Sequence, residues 1–498
     1  MNSFQRKSLY AALAGVGALG VTTAADAVNV NPNGLGQALI YPYYTTNNDG
    51  AGNSYNSLLS VVNTTNSAKA VKVRFLEGKD SKEVLDFNLF LSKRDVWTAA
   101  IVPNGSGGAS VISVDKSCTI PDNSNLAPPN GTPFVNFVYA SGGTDPDGGG
   151  DGLDRTKEGY VEIIEMATFP TYSCTSIQVT HVGGVPFDCA GLSDAGASAD
   201  AASASGGLFG GMTLINVGSG TDYTEDAVAL QRFNRGPLYQ PAGSVSPQLT
   251  DSSPKTSVVF AAEPNNFQFN GFSDLGVYIS QWPTPLYLAA DTVSATLMHD
   301  SVMNEFVLDT ATKSGTDWVV TFPTKRFYVK AGTGSAPKLF QRNFNKTAGS
   351  CDDITLNIYD REEKTTSSPV TFSPPPPTLT NSICWEVNII TFNSSNVLGS
   401  KNTANINTSF QNGWLRLGFA APSSTASTFH TLGNSTNTTH IWGPTGFSTG
   451  LTKTYLGLPV VGFAVQSFTN GTLVVGGTNE LSNYGGNFVH KTTTTIVN

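Results

Sequence analysis

Apolar and polar residues alternate in short runs between Ser57 and Val102, and small polar clusters separate the runs. In the run AVKVRF, Val71 and Val73 alternate with Lys72 and Arg74, and the run EVLDFNLFL repeats the pattern. Period-two alternation interrupted by regularly spaced turns predicts antiparallel strands packed into a sandwich. On this interpretation the apolar side chains form the core and the charged ones form a solvated face.

Similar runs continue to the end of the chain and predict an all-β, mainly antiparallel fold. We expect two or three Ig-like or β-sandwich modules with long loops and little helix, because roughly 470 residues exceed one ordinary domain. The stretch AGLSDAGASADAASASGG has the composition of a flexible linker. The predicted divisions are a signal peptide (1–27), an N-terminal β-sandwich module (28–190), a low-complexity linker (191–207), a second β-rich module (208–345) and a C-terminal β-rich module (346–498).

Three local patterns add detail to this outline. Proline cannot donate to a strand ladder, so the run around Pro42 predicts an edge strand. The segment Asp291–Asn304 is the best helix candidate, and TDWVVTFPTKRFYV predicts two strands joined at Pro323.

The first residues have the pattern of a secretory signal peptide. Arg6 and Lys7 precede the apolar segment Leu9–Val21, and an A-x-A site ends at Ala27. Thirteen apolar residues are too few for a membrane span, which needs roughly 20, and no later stretch is long enough. We therefore expect an exported protein that begins at Val28, with no transmembrane segment in the mature chain.

The surface composition bears on possible partners. Removal of Arg6, Lys7 and Asp26 with the signal changes the formal net charge from −9 to −10, which argues against nucleic-acid binding. Charged residues make up 13% of the chain, about half of the usual ~25%. A polar surface of low charge density favours close packing against further copies of the chain.

The five cysteines show no CxxC spacing, and export makes disulfides plausible. Cys351 and Cys384 are the expected pair in the C-terminal third, and their bond closes a loop worth about 3–4 kcal/mol. Cys174 and Cys189 are the closest remaining pair. If these two are bonded, Cys118 is unpaired. We expect its thiol to be buried rather than available for cross-linking subunits.

A glycine-rich segment carries the candidate metal ligands. Calcium prefers several oxygen ligands on a backbone that turns tightly, which glycine permits. The spacing matches no EF-hand, and a solvated acidic loop is the alternative. The predicted calcium ligands are Asp145, Asp147, Asp151 and Asp154.

Catalytic constellations have little support in the sequence. Glu162 and Glu165 are three apart in a predicted strand and point to opposite faces, and no G-x-S-x-G or HExxH motif occurs. Exposed aromatic side chains are a possible sugar platform, although packing is the more common role of such residues in β-sandwiches. The candidates for that platform are Tyr41, Tyr43, Tyr44 and Trp282.

Several segments resemble a group of exported Gram-negative proteins that are mostly described as hypothetical or possible cell-surface proteins. These segments are GLGQALIYPYYTT, LLSVVNTTNSAKAVKVRFLEGKDSKEVLDFNLFLSKRDVWTAAI, TDWVVTFPTKRFYV and LPVVGFAVQSFTNG, and the resemblance extends from Gly34 to His490. It implies export and a single architecture and supplies no catalytic residues.

The sequence thus predicts a non-enzymatic, self-associating subunit of a surface layer or extracellular filament, outside the cell, with possible contact to the envelope or to glycans. A secreted adhesin or carbohydrate-binding protein is the alternative, and an extracellular hydrolase is less favoured.

Overall fold

The computed structural model describes residues 27–262, 268–269, 272–273, 275–283, 288–330, 339–346, 348–365, 382–419, 429–443 and 446–497. Apart from Ala27, the predicted signal peptide lies outside these residues. Strands make up about 48% of the structure and helices about 9%, which confirms the all-β class.

The strands of the first half are β1 (Asn29–Val30), β2 (Ala38–Thr45), β3 (Asn56–Asn63), β4 (Ala68–Glu77), β5 (Glu83–Leu91), β6 (Val96–Pro103), β7 (Ala109–Ile112), β8 (Thr119–Ile120), β9 (Thr132–Pro133), β10 (Glu158–Phe169), β11 (His181–Val182), β12 (Val185–Pro186), β13 (Leu208–Phe209), β14 (Gly211–Asn216), β15 (Thr221–Asp226) and β16 (Val228–Gln231).

The strands of the second half are β17 (Thr256–Ala262), β18 (Gln268–Phe269), β19 (Phe272–Ser273), β20 (Leu275–Gln281), β21 (Met298–His299), β22 (Ser301–Val307), β23 (Gly315–Thr321), β24 (Asp352–Asp353), β25 (Thr355–Asp360), β26 (Ser382–Ile383), β27 (Val387–Phe392), β28 (Thr403–Ile406), β29 (Asn412–Gly418), β30 (Thr431–Gly443), β31 (Gly446–Leu456), β32 (Leu458–Pro459), β33 (Val461–Val475), β34 (Thr478–Val489), β35 (Lys491–Thr493) and β36 (Thr495–Val497). The helices within the described residues are α1 (Cys174–Val179), α2 (Asp194–Asp200), α3 (Asp291–Leu297) and α4 (Arg326–Val329), with 3₁₀ turns at Asn123–Leu126, Leu153–Lys157 and Leu249–Asp251.

Two sheets form a sandwich in the first half of the chain. Sheet 1 has the order β1-β16-β2-β10-β4-β5-β8, and sheet 2 has the order β15-β14-β3-β6-β7-β9, with β13 also paired to β3. Val73 and Phe87 of sheet 1 share a buried core with Trp97 of sheet 2, where the Phe87 and Trp97 rings are 5.8 Å apart. The alternation of the sequence therefore identifies the core side of β4 and β5 correctly.

The predicted linker at 191–207 does not separate two modules. Strands β13 to β16 follow it in the chain and complete sheets 1 and 2, so the first sandwich extends to Gln231. Ser193 caps α2, and Ala197 of that helix packs in a buried cluster with Phe169. The small residues that suggest flexibility instead allow the helix to lie close against sheet 1.

Strand β2 is central in sheet 1, so the prediction of an edge strand is wrong. Pairing with β16 ends at Ile40. On the other side, a bulge places Pro42 and Tyr43 opposite a single residue of β10. Neither neighbour requires the N–H group that proline lacks, which is why the residue is tolerated inside the sheet.

The second half of the chain contributes three larger sheets. Sheet 3 has the order β17-β20-β30-β31-β36, sheet 4 the order β25-β29-β22-β35, and sheet 5 the order β28-β27-β23-β33-β34. Sheets 4 and 5 enclose a second core, in which the rings of Phe306 and Phe392 stack with their centroids 4.9 Å apart.

Strand β23, in the centre of sheet 5, is buried on both faces and joins the two halves. Trp318 and Val320 of β23 belong to the second core, whereas Val319 between them belongs to the core of the first sandwich. The Thr321 hydroxyl donates to the Pro42 carbonyl at 2.8 Å. The two cores are therefore separated by one sheet rather than by a linker.

Two local predictions for the second half are partly wrong. The helix expected over Asp291–Asn304 ends at Leu297, because the alternating residues that follow form β21 and β22 and send Val302 into the second core. The second strand expected after Pro323 is instead the short helix α4, which turns Arg326 towards sheet 1.

The polar face of β4 is buried, so the prediction of a solvated face is wrong. Arg74 donates to Glu162 at 2.8 Å and to Glu83 at 2.7 Å, and Arg326 of α4 contacts Glu162 at 3.3 Å. Lys72 is fully buried on the same strand. Period-two alternation shows which residues share a face but not whether another part of the chain covers that face.

We expect Glu162→Gln to lower the free energy of unfolding by about 3 kcal/mol, because the change leaves buried guanidinium charge uncompensated. Chemical denaturation checks the value. Glu305→Gln, at an exposed position of β22, is the matched control and should change stability by less than about 0.5 kcal/mol. Equal stability of the two variants would contradict a structural role for the buried charges.

Candidate functional site

Two of the predicted calcium ligands form ion pairs within the chain. Arg155 donates to both carboxylate oxygens of Asp147, at 2.9 and 2.7 Å, and also pairs with Glu77. Asp145 contacts Lys82 at 2.9 Å. Partial burial opposes ionisation of Asp145, but the hydrogen bond and charge of Lys82 lower its pKa. Arg155 and Lys82 therefore already neutralise the charge of these two carboxylates.

The other two predicted ligands, Asp151 and Asp154, are exposed. Among the described residues, no group of three or more His, Cys, Asp or Glu side chains is placed to hold a metal ion. Calcium binding by this loop stays a prediction, which a calorimetric titration can test.

The disulfides differ in part from the expected pairing. Cys351 bonds to Cys384, as predicted, whereas Cys189 bonds to Cys118 rather than to Cys174. Cys118 is buried just before β8, so this bond ties the segment that carries α1 and α2 to the edge of sheet 1. Cys174 begins α1 and is a free, exposed thiol. The expectation of a buried leftover thiol is therefore wrong.

We expect a thiol reagent to modify Cys174 alone in the folded protein, because the other four cysteines are in disulfides. Peptide mass spectrometry identifies the labelled position, and Cys174→Ser should abolish labelling. Reduction and denaturation should expose all five cysteines. Modification of Cys118 in the native state would contradict the observed pairing.

The candidate catalytic and aromatic residues have structural partners. Glu162 pairs with Arg74, whereas Glu165 accepts from Lys69 at 2.6 Å, so the two carboxylates do not act on one bond. The aromatic candidates for a sugar platform are buried, which agrees with a packing role; these residues are Tyr41, Tyr43, Tyr44 and Trp282.

A buried Lys–Asp–His cluster is the arrangement that most resembles an active site. Asp352 contacts Lys325 at 2.9 Å and His430 at 3.2 Å. Burial raises the pKa of the Asp352 carboxyl, but the charge of Lys325 and the hydrogen bond from His430 outweigh burial and lower it. All three side chains are almost inaccessible to solvent, and their mutual contacts link α4 to β24 and to the start of β30.

The outer face of sheet 2 carries an apolar groove of about 530 Å³. Leu58 and Phe209 line it and are 40% and 42% exposed, and Val114 at its rim is 73% exposed. Asp226 is the charged residue among the lining side chains, and the remainder are apolar, small or hydroxyl residues. We call this surface the sheet 2 groove.

The sheet 2 groove is not among the sites predicted from the sequence, although the run SLLSVV contains a signal for it. Leu59 and Val61 alternate into the core, so the adjacent Leu58 must point outward from β3. An apolar residue on both sides of a strand indicates either a buried strand or an exposed apolar face.

Sheet 4 carries a second exposed feature. The rings of Tyr359 and Trp414, on the adjacent strands β25 and β29, stack with centroids 4.7 Å apart. Trp414 is 40% exposed, and Arg416 and Asn357 are paired at the next outward-facing positions. Polar groups beside an exposed aromatic pair are the features with which proteins contact sugar rings.

Comparisons with protein-family models, with curated proteins and with solved structures find no match for this chain. They neither support nor oppose the resemblance to exported Gram-negative proteins. Among the described residues, no helix is both long and apolar enough to cross a membrane.

Proposed function

We propose that the protein is a non-enzymatic structural protein of the cell surface, a self-associating subunit of a surface layer or extracellular filament. The sheet 2 groove is the observation that carries this proposal. The largest exposed apolar patch on a protein is often a functional surface that contacts a partner. A second copy of this chain is the proposed occupant.

The groove suits association better than the strand edges do. At one edge of the sandwich, β9 of sheet 2 and β8 of sheet 1 have two residues each and present little free backbone. At the other edge of sheet 2, β15 lines the groove, and its Thr224 carbonyl accepts from the side-chain amide of Asn487 on β34. Burial of Leu58 and Phe209 against a second surface removes apolar area from water without requiring charge pairs. A chain with 13% charged residues also opposes close approach of copies only weakly.

The subunit is also rigid enough for a structural role. Sheet 5 contributes to both cores, and two disulfides tie loop segments to the sheets. Disulfides persist in the oxidising environment outside the cell, which supports the proposed location.

We expect Leu58→Asp to shift the protein from assemblies to monomers, because assembly would bury the new carboxylate without a partner. Analytical ultracentrifugation and electron microscopy of the natively exported protein check this. Val245→Asp introduces the same charge at a 65% exposed apolar residue outside the groove and should leave assembly intact. A wild-type protein that stays monomeric at all concentrations, with no lattice or fibre on cells, would refute the proposal.

The exposed aromatic pair of sheet 4 favours a second candidate function, a secreted adhesin or carbohydrate-binding protein. In that case Trp414→Ala should weaken glycan binding at least tenfold, because stacking on the ring is lost. A glycan array followed by calorimetry measures the effect. Phe137→Ala, at another exposed aromatic residue, is the control. Absence of binding by the wild-type monomer would remove this candidate.

A further inference from the structure

Lys69, on β4, shows how this protein provides hydrogen-bond acceptors for a buried lysine. Its ammonium group has three N–H donors and contacts three oxygens: Glu165 at 2.6 Å, Thr168 at 3.2 Å and Ser205 at 2.6 Å. Each donor thus has an acceptor, as a buried charge requires.

Lys72, three residues later on the same strand, lacks such partners. Its side chain is fully buried, and its Nζ atom lies against Oδ2 of Asp86 on β5. Apart from this contact, neither atom has a hydrogen-bond partner among the described residues. An ammonium group in this place leaves buried donors unsatisfied, which costs several kcal/mol.

The register of the hairpin places the two side chains within reach of one another. Lys72 is opposite Asn88, and Arg74 is opposite Asp86, so Lys72 and Asp86 are diagonal neighbours on one face of sheet 1. The fold therefore holds an amine against a carboxyl group in a site from which water is largely excluded.

We propose that Lys72 and Asp86 are joined by an isopeptide bond between Nζ and Cγ. The neutral amine attacks Cγ of the protonated carboxyl group, the C–N bond forms, a C–O bond breaks, and one water molecule leaves. No oxidant or other reactant is needed. The product amide has a single N–H donor and no charge, so it removes the unsatisfied ammonium from the interior.

Two features of the structure favour this reaction. Fixed juxtaposition of reacting groups gives effective concentrations of about 10⁵–10⁸ M in well-oriented cases. Glu83, held by Arg74 at 2.7 Å, interacts electrostatically with both Asp86 and Lys72, and burial raises its pKa. We assign to Glu83 the transfer of a proton from the attacking amine to the departing hydroxyl group.

The bond would strengthen one edge of sheet 1, where the outermost strand adds little hydrogen bonding. Strand β5 is followed in the sheet by the two-residue β8, which pairs only with Asn88 and Leu89. A covalent link between β4 and β5 prevents the hairpin from opening under load. This inference does not depend on the proposed self-association.

Tryptic peptide mapping of the natively exported protein tests the bond directly. Trypsin cannot cleave after a modified Lys72, so we expect the segments Ala70–Arg74 and Glu83–Lys93 to be recovered joined, lighter by one water molecule than their sum. Recovery of Ala70–Lys72 as a free tripeptide from folded protein would show an ordinary ion pair and overturn the proposal.

Substitutions identify the residues involved. Lys72→Met and Asp86→Ala should abolish the joined peptide, whereas Lys69→Met, on the same strand, should retain a bond at Lys72. Glu83→Gln should slow formation at least tenfold after refolding, and formation at the wild-type rate would exclude the proton-transfer role of Glu83. The peptide map of the wild-type protein tests the bond by itself, so the test does not require any variant to fold.

Discussion

The buried contact of Glu162 with Arg74 and Arg326 determines how the two halves of this protein fit together. Arg74 belongs to sheet 1, whereas Arg326 belongs to the helix that follows β23 of the second half. Removal of charged groups from water is costly unless each has a partner, so the halves must meet in the arrangement that aligns these side chains. Apolar contacts alone would tolerate small shifts between the sheets, which a buried charge does not.

The alignment of the two halves also affects sheet 5, which contributes side chains to both cores. Val319 faces the first core and Trp318 the second, so displacement of β23 disturbs both. Backbone hydrogen bonds reinforce the junction, because Val387 donates to the carbonyl of Gly78 at 2.8 Å. The chain therefore behaves as connected layers, and the stability of one sandwich is coupled to that of the other.

The sequence predicts a large part of the strand structure and less of its assembly. Alternation around Val73 identifies both the strand and its core side, since side chains in a strand point to opposite faces in turn. The same pattern cannot show that Lys72 is buried, because alternation shows which residues share a face and not whether that face is covered. Pro42 misleads for a related reason: its place in the sheet depends on a bulge of β2 against β10, a strand that is distant in the chain.

Predictions of the candidate site from the sequence have the same limit, because they depend on contacts that the spacing of residues does not show. The acidic loop is conspicuous in the sequence, yet Asp147 is bound by Arg155, which the spacing of aspartates cannot reveal. The pairing of Cys118 with Cys189 likewise depends on how α1 and α2 fold back on sheet 1. By contrast, Leu58 could be recognised as outward-facing once Leu59 is placed in the core.

The two sheets of the first sandwich reverse the usual distribution of polar and apolar residues on their outer faces. Sheet 1 buries the charged face that carries Lys72 and Arg74, whereas sheet 2 exposes the face that carries Leu58 and Phe209. Buried charges are directional and specify a single arrangement within the chain, while apolar surface attracts any complementary surface without strict geometry. A subunit that must hold its own shape and still adhere to copies of itself requires both properties, on opposite sides of one sandwich. This distribution supports a structural role more strongly than either face does alone.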